Sequence, residues 1–189
     1  MKVTVTQENL SRALSIVSRT ASSRTTLPIL GNIFIKAETG ELILSSTNLE
    51  TATTQKIPAS TTKSGVTTVP ARLITEFISN LPKVNIEIEL VDNKIKITAG
   101  SYKSTINATP ADDFPALPEL IAKATLKVST DDLKKAIANT SLVASSDTTR
   151  PILTGVYLHS FEGNLYMAAT DGYRLAEKKI IPFTTEISA

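Results

Sequence analysis

The chain has 189 residues, 41% of them hydrophobic and 20% charged, a balance that supports a packed core and excludes a disordered or fibrous chain. It has no cysteine, which removes disulfides and thiolate metal sites, and its net charge of +2 is too small to mark a strongly basic nucleic-acid binder. The opening Met1-Lys2-Val3-Thr4-Val5 lacks the apolar core of a signal peptide, and no apolar run reaches the ~18 residues of a membrane span, so a cytoplasmic protein without a membrane partner is expected.

Alternation from Lys2 to Thr6 predicts a strand. Thr6 then stands as a cap before Gln7-Glu8-Asn9, and Leu10, Ala13, Leu14 and Val17 fall at helical spacing. A Ser/Thr-rich loop ends in Leu27-Pro28-Ile29-Leu30. It leads into a strand, a turn at Glu38-Thr39-Gly40, a second strand, and a third from Glu50 to Pro58. A diverged copy follows. Val66 to Val69 reads as a strand, Pro70 as the first helical residue, and Leu73, Ile74, Phe77 and Ile78 as an apolar stripe ending at Asn80-Leu81-Pro82. Strands are expected at Val84 to Val91, Lys94 to Ala99 and Tyr102 to Ala108. Thr109 to Leu120, with three prolines and Asp112-Asp113, reads as a linker.

The pattern then returns. Thr125 to Ser129 alternates, Ser129 or Thr130 caps Asp131-Asp132, and Leu133, Ala136, Ile137 and Thr140 form the stripe. Arg150-Pro151-Ile152-Leu153, a strand, the turn Glu162-Gly163, a second strand and a third from Tyr173 to Pro182 complete it. Residues 3–54 align with 126–177 at a constant offset of 123 without a gap, and fifteen of the 52 pairs are identical. The fold class is therefore α+β, built from three βαβββ repeats. Repeats one (1–61) and two (62–108) with the linker 109–120 are expected to form one full domain, 1–120, and repeat three to form half of a second, 121–189. An apolar-faced repeat normally needs another to cover it. Repeat three has no mate in the sequence.

No catalytic constellation is present, so no enzyme is expected. The single His159 excludes histidine triads and multi-histidine metal sites, and a surface or half-buried structural place is its ordinary role. Asp112-Asp113 and Asp131-Asp132 are adjacent rather than facing, and the seven glycines are scattered, so no metal, cofactor or phosphate loop is expected. Asp171-Gly172 by itself is a hairpin turn.

Several segments carry a resemblance. Thr26-Leu27-Pro28-Ile29-Leu30-Gly31-Asn32, Thr47-Asn48-Leu49-Glu50 and Thr67-Thr68-Val69-Pro70-Ala71-Arg72 resemble the N-terminal domain of the bacterial DNA polymerase III beta subunit family, the sliding clamps. Ala111-Asp112-Asp113-Phe114-Pro115 is similar to the family's inter-domain linker, and Ala169-Thr170-Asp171-Gly172-Tyr173-Arg174-Leu175 to its second-domain motif. The matches span nearly the whole chain in family order.

The resemblance implies a non-catalytic DNA-clamp fold that encircles duplex DNA and tethers the polymerase III alpha subunit, the clamp loader and other clamp-binding-motif proteins. Three of an expected six repeats imply an N-terminal fragment. It implies sequence-independent phosphate contacts at Arg24 on the loop after the first helix, and at Arg12, Arg72, Lys134 and Lys135 on helices. It places half of a peptide pocket at Arg150, Leu153, Thr170, Gly172, Tyr173, Arg174 and Leu175, with Leu153 and Leu175 as an apolar floor. Pro151-Ile152 stands where many relatives carry aromatics, and Tyr173 where histidine is common, so a different pocket shape is expected; the family's third-domain wall of the pocket is not among these repeats, so very weak peptide affinity is expected. The family's homodimer contact maps to the strand Ser101 to Ala108, at Lys103, Ser104 and Thr105. The fragment is expected as a monomer or an adventitious dimer; one hypothesis pairs two copies of repeat three around a two-fold through Leu133, Ala136 and Ile137. The alternatives are a repeat-built binding scaffold unrelated to replication and an enzyme whose active residues lie beyond this sequence.

Overall fold

The alternation at the start of the chain forms β1 (Lys2–Thr6), with Val3 and Val5 buried. α1 (Gln7–Val17) follows and buries Leu10, Ala13, Leu14 and Val17, as one face of a 3.6-residue period requires. Thr6 holds the cap position without a side-chain capping bond; the Gln7 side chain instead donates to the Ile78 carbonyl at 2.9 Å. The structure is a computed structural model that describes residues 1–21, 27–116, 124–180 and 183–187, with the side chains of 124–126 and 183–187 left aside. The chain divides into two compact units, Met1–Pro118 and Glu119–Ala189.

In the first unit a 3-10 turn (Pro28–Gly31) leads to the meander β2 (Asn32–Glu38), β3 (Glu41–Thr47) and β4 (Ala52–Pro58). The short β5 (Ser60–Lys63) was not expected from the sequence. Then come β6 (Gly65–Pro70), α2 (Ala71–Ser79), β7 (Asn85–Val91), β8 (Lys94–Ala99) and β9 (Tyr102–Asn107). Pro70 ends β6 and caps α2 rather than opening the helix, because its ψ of 120° is extended while its ring-fixed φ suits either state. Ile74 and Ile78 are buried, but Leu73, expected in the same stripe, is 54% exposed.

The two sheets do not follow the repeat boundaries. One has the order β5-β1-β7-β8-β9 and the other β4-β3-β2-β6. Each repeat thus lends its first strand to the other's meander. The two exchanged pairs share one register: Val3 faces Ile88 and Val5 faces Ile86, while Thr67 faces Ile35 and Val69 faces Ile33. α1 packs on α2, and one apolar cluster runs through both repeats, from Val3, Leu10, Leu14, Ile33 and Ile35 to Ile74, Ile78, Ile86 and Ile88. The start of the linker also docks here. Thr109 exchanges both backbone hydrogen bonds with Thr68 at 2.9 Å, and the Phe114 ring lies 5.2 Å from that of Phe34.

The second unit contains β10 (Ala124–Val128), α3 (Thr130–Ser141), a 3-10 turn (Pro151–Thr154), β11 (Tyr157–Phe161), β12 (Asn164–Thr170), β13 (Leu175–Ile180) and β14 (Phe183–Ile187). Ser129 is the cap and Thr130 the first helical residue. β12 and β13 begin at the positions of β3 and β4 shifted by 123, and β14 begins at the shifted position of β5, so the duplication reaches further than the aligned residues 3–54. Among the described residues β10 pairs with β14, and β11-β12-β13 stand as a separate sheet. Its core, among the described residues of the unit, comprises Ala136, Leu165, Met167 and Ile180, with Val128, Leu133 and Val156 against it.

Candidate functional site

The motif Thr170 to Arg174 builds a turn that recurs in both units. The Thr170 hydroxyl donates to the Arg174 carbonyl at 2.6 Å and accepts from the Gly172 N–H at 3.0 Å. The N–H groups of Tyr173 and Arg174 both donate to Oδ1 of Asp171, at 2.9 and 2.8 Å. At the corresponding positions Thr47 donates to the Thr51 carbonyl and accepts from the Leu49 N–H, while Asn48 Oδ1 accepts from Glu50 and Thr51. A local side chain thus takes over the backbone donors and stops the strand. For this reason β4 and β13 start at Ala52 and Leu175, later than the expected Glu50 and Tyr173.

Two features are particular to the second turn. Gly172 has φ of +91°, whereas Leu49 holds +76° at the matching place. Arg174 folds back on Asp171, with Nε and Nη2 donating to Oδ2 at 3.0 and 2.8 Å. The N–H of Arg174, then the N–H of Tyr173 and the Arg174 guanidinium, hold the Asp171 carboxyl down at about 2. Tyr173 is left 98% exposed.

Beside this turn lies an apolar cavity of about 560 Å³, lined by Leu153, Val156, Tyr157, Ala168, Thr170 and Leu175 with Pro151 and Ile152 at its rim. Leu175 is 72% exposed and Leu153 half-buried, so neither simply fills the core. Of the residues expected here the fold brings Leu153, Thr170 and Leu175 together. Arg150, Gly172, Tyr173 and Arg174 border the segment without lining the cavity. The sequence reading missed Val156, Tyr157 and Ala168, which an inward-outward count along two adjacent strands would have offered.

The expected DNA-facing cations lie on exposed helix surfaces. Arg12 on α1 donates to Asn9 Oδ1 at 3.1 Å, and Arg72 on the neighbouring α2 approaches Glu76 at 3.9 Å. Lys134 and Lys135 are exposed on α3, whose first turn carries Asp131 and Asp132. Arg24 lies outside the described residues. Arg19, seven residues after Arg12, is exposed just beyond α1 and was not singled out. Each of these surfaces mixes both signs, so any attraction for phosphate is modest.

Lys103, Ser104 and Thr105 lie on β9, an edge of the five-stranded sheet. Ser104 and Thr105 share a cavity of about 480 Å³ with Leu73, Phe77 and Ile106. The exposed Leu73 therefore joins this edge, an apolar contribution that the stripe assignment concealed. Among the described residues no three His, Asp or Glu gather as a metal site, and no helix is long and apolar enough to cross a membrane.

Comparison with known proteins agrees in both units. Residues 1–118 match the family described as DNA polymerase III beta subunit, N-terminal domain, and residues 127–186 its central domain. The chain is 35% identical over 180 residues to the beta sliding clamp of Micrococcus luteus, covering 95% of this chain and 58% of that protein. It is 35% identical over 185 residues to that of Synechocystis, covering 93% and 47%. The crystal structure of the Bacillus subtilis sliding clamp superposes with a TM-score of 0.89 at 30% identity, covering 98% of this chain and 53% of that one. That of Bartonella birtlesii, bound to griselimycin, gives 0.89 at 30% identity over 96% and 50%. The chain spans about half the length of the relatives it matches.

Proposed function

The chain belongs to the DNA polymerase III beta subunit family, with the α+β clamp fold of repeated βαβββ units, and on that premise we propose that it supplies the DNA-facing and partner-binding parts of a replication processivity factor. In this reading the whole protein encircles duplex DNA and tethers the polymerase III alpha subunit, the clamp loader and other partners by short peptides, without catalysis, in the cytoplasm. Residues 1–120 form the first clamp domain and 121–189 the first half of the second. The two matched family domains and the break between the compact units support that division.

Arg24, Arg12, Arg72, Lys134 and Lys135 act on phosphate without reading sequence. The peptide enters the cavity floored by Leu153 and Leu175, and the Thr170–Arg174 turn presents that floor. Burial of an apolar side chain there supplies affinity, because Leu175 has water to lose. Arg174 acts through Asp171, as a brace of the turn. Lys103, Ser104 and Thr105, with Leu73, Phe77 and Ile106, form the subunit contact, where a free strand edge and an adjoining apolar pocket invite another chain.

The observation that carries this reading is the exposed apolar cavity at the family's second-domain motif. Amide chemical-shift mapping tests it on the 189-residue chain. Duplex DNA is expected to move exposed resonances of α1 and α2, with an affinity that falls as salt rises. A short extended peptide ending in apolar residues is expected to move residues 151–157 and 168–175. Shifts confined to other surfaces, or DNA affinity indifferent to salt, refute the assignment.

A further inference from the structure

The turn at Thr170–Arg174 contains the one Asp-Gly step of the sequence, which has no Asn-Gly. Such a step is where a polypeptide most readily rewrites its own backbone. The nitrogen of the residue after an aspartate can attack the side-chain carboxyl, and a glycine, having no side chain, leaves the approach open. Gly172 is exposed, holds φ of +91°, and a Cβ built on it meets nothing within 4 Å. Steric bulk does not guard this step.

Hydrogen bonding guards it instead. The attack needs a Gly172 nitrogen released from its partner, a carboxyl free to turn its carbon towards that nitrogen, and a protonated oxygen that can leave as water. The turn withholds all three. The Gly172 N–H is committed to Thr170 Oγ1 at 3.0 Å. Oδ1 of Asp171 accepts from the N–H groups of Tyr173 and Arg174, and Oδ2 accepts from Nε and Nη2 of Arg174. Four donors on two oxygens fix the orientation of the carboxyl and favour its charged form, holding it at about 2. Well above pH 3.8 the protonated form is therefore scarcer, on the order of tens-fold, than in an ordinary aspartate. Arg174 is the charged group that faces the carboxyl, and its side chain is 68% exposed.

The matching turn of the first unit meets the same hazard differently. It places Leu49 after Asn48, so a branched side chain shields the attacking nitrogen at the cost of φ of +76°. Where the second unit has Arg174, the first has Thr51, whose hydroxyl donates to Asn48 Oδ1 at 3.1 Å. The second unit has exchanged the shielding residue for a relaxed glycine and added a guanidinium brace.

We propose that Asp171–Gly172 is a self-modification site, an isoaspartate-forming step kept dormant by Thr170 and Arg174. In the reaction the Gly172 nitrogen forms a bond to Cγ of Asp171, the Cγ–OH bond breaks, and the N–H proton leaves with that hydroxyl as water. Water then opens the succinimide at the main-chain carbonyl carbon of Asp171, breaking its bond to nitrogen. The chain now runs through Cβ and Cγ, one atom longer, and the former main-chain carbonyl becomes the free carboxylate. One water leaves and one enters, so no other reactant is needed. The product no longer offers the carboxyl to which Tyr173 and Arg174 donate, so the turn loses the shape that presents Leu175. That last consequence rests on the function proposed above; the chemistry does not.

Isoaspartate at residue 171 leaves the mass unchanged, so it is read by peptide mapping and by methyl transfer from an isoaspartate-specific methyltransferase. The 189-residue chain is aged in neutral buffer, folded and in urea. The folded chain is expected to form isoaspartate at 171 on the order of tens-fold more slowly than the unfolded one, following the scarcity of the protonated form. Folded Arg174→Gln is expected to gain several-fold over the folded parent, and adding Gly172→Ala to it abolishes the gain. The comparison with urea needs no variant, so it decides even where R174Q is poorly folded. Equal rates in the folded and unfolded chain overturn the proposal. So does a folded R174Q that ages like the parent, or an unfolded chain that modifies other positions and spares 171. The aged chain is also expected to lose an apolar-ended peptide that the fresh chain binds. A fresh chain that binds no such peptide refutes the peptide-site assignment and leaves the isoaspartate rates standing.

Discussion

Gly172→Ala isolates the conformational demand of the Thr170–Arg174 turn. Gly172 has φ of +91°, and a Cβ added there meets nothing within 4 Å, so the substitution changes backbone energy and no packing. A non-glycine residue in the left-handed region costs roughly 1–2 kcal/mol. Restricting the unfolded chain returns about 0.4–1 kcal/mol. The net loss is about 1 kcal/mol, which for a unit of this size lowers the melting temperature by about 4–8 °C. Leu49→Gly at the matching turn has the opposite sign: it relieves φ of +76° and surrenders little burial, since Leu49 is 62% exposed. Three of the four tyrosines, Tyr157, Tyr166 and Tyr173, belong to the second unit, so tyrosine fluorescence on heating follows that unit while hydrogen exchange at β3 and β4 follows the first. An unchanged or raised melting point in G172A refutes the view that glycine is there for its backbone freedom.

The pH dependence of the same turn has a fixed sign. Asp171 is held at about 2, below its ordinary 3.8, so the stability it lends is complete above about 3.8 and is lost as pH falls through about 2. The Tyr173 and Arg174 amide shifts are expected to titrate near the lower value, and a midpoint at the ordinary one contradicts the bracing role of Arg174. Gln7→Ala removes the Gln7 amide from the Ile78 carbonyl, which keeps the Leu81 N–H at 3.3 Å, and is expected to destabilise the first unit by roughly 0.5–1.5 kcal/mol in urea unfolding. A loss near zero shows that this link between α1 and the end of α2 is not needed. Leu175→Ala is expected to weaken an apolar-ended peptide by roughly 1–2 kcal/mol with no change in melting temperature, because the side chain is exposed in the free chain. Equal affinity removes Leu175 from the floor of the site.

How much of the site could be read in advance differs from residue to residue. Leu153, Thr170 and Leu175 were named from the family motif, and they do share one cavity. The Arg174 guanidinium folds back onto Asp171. Sequence spacing gives no warning of this, because the bond needs Asp171 to have closed the turn first. Tyr157 and Ala168 went unmentioned since they lie outside the motif and approach it only through the pairing of β11 with β12. Leu73 was placed in the core because helical spacing tolerates a neighbour of the buried face; only the position of β9 shows it at the rim.

The sequence by itself determined the elements and their duplication. Alternation and 3.6-residue spacing record which face of each segment must leave water, and the offset of 123 records that one solution was used twice. The tertiary structure decided who covers whom. Backbone hydrogen bonds are alike for every residue type, so nothing in Val3 or Val5 specifies Ile88 and Ile86 as partners rather than the strands of their own repeat. That choice is made when two aliphatic faces meet and each repeat has one strand to exchange. It is why β1 lies between β5 and β7, and β2 between β3 and β6.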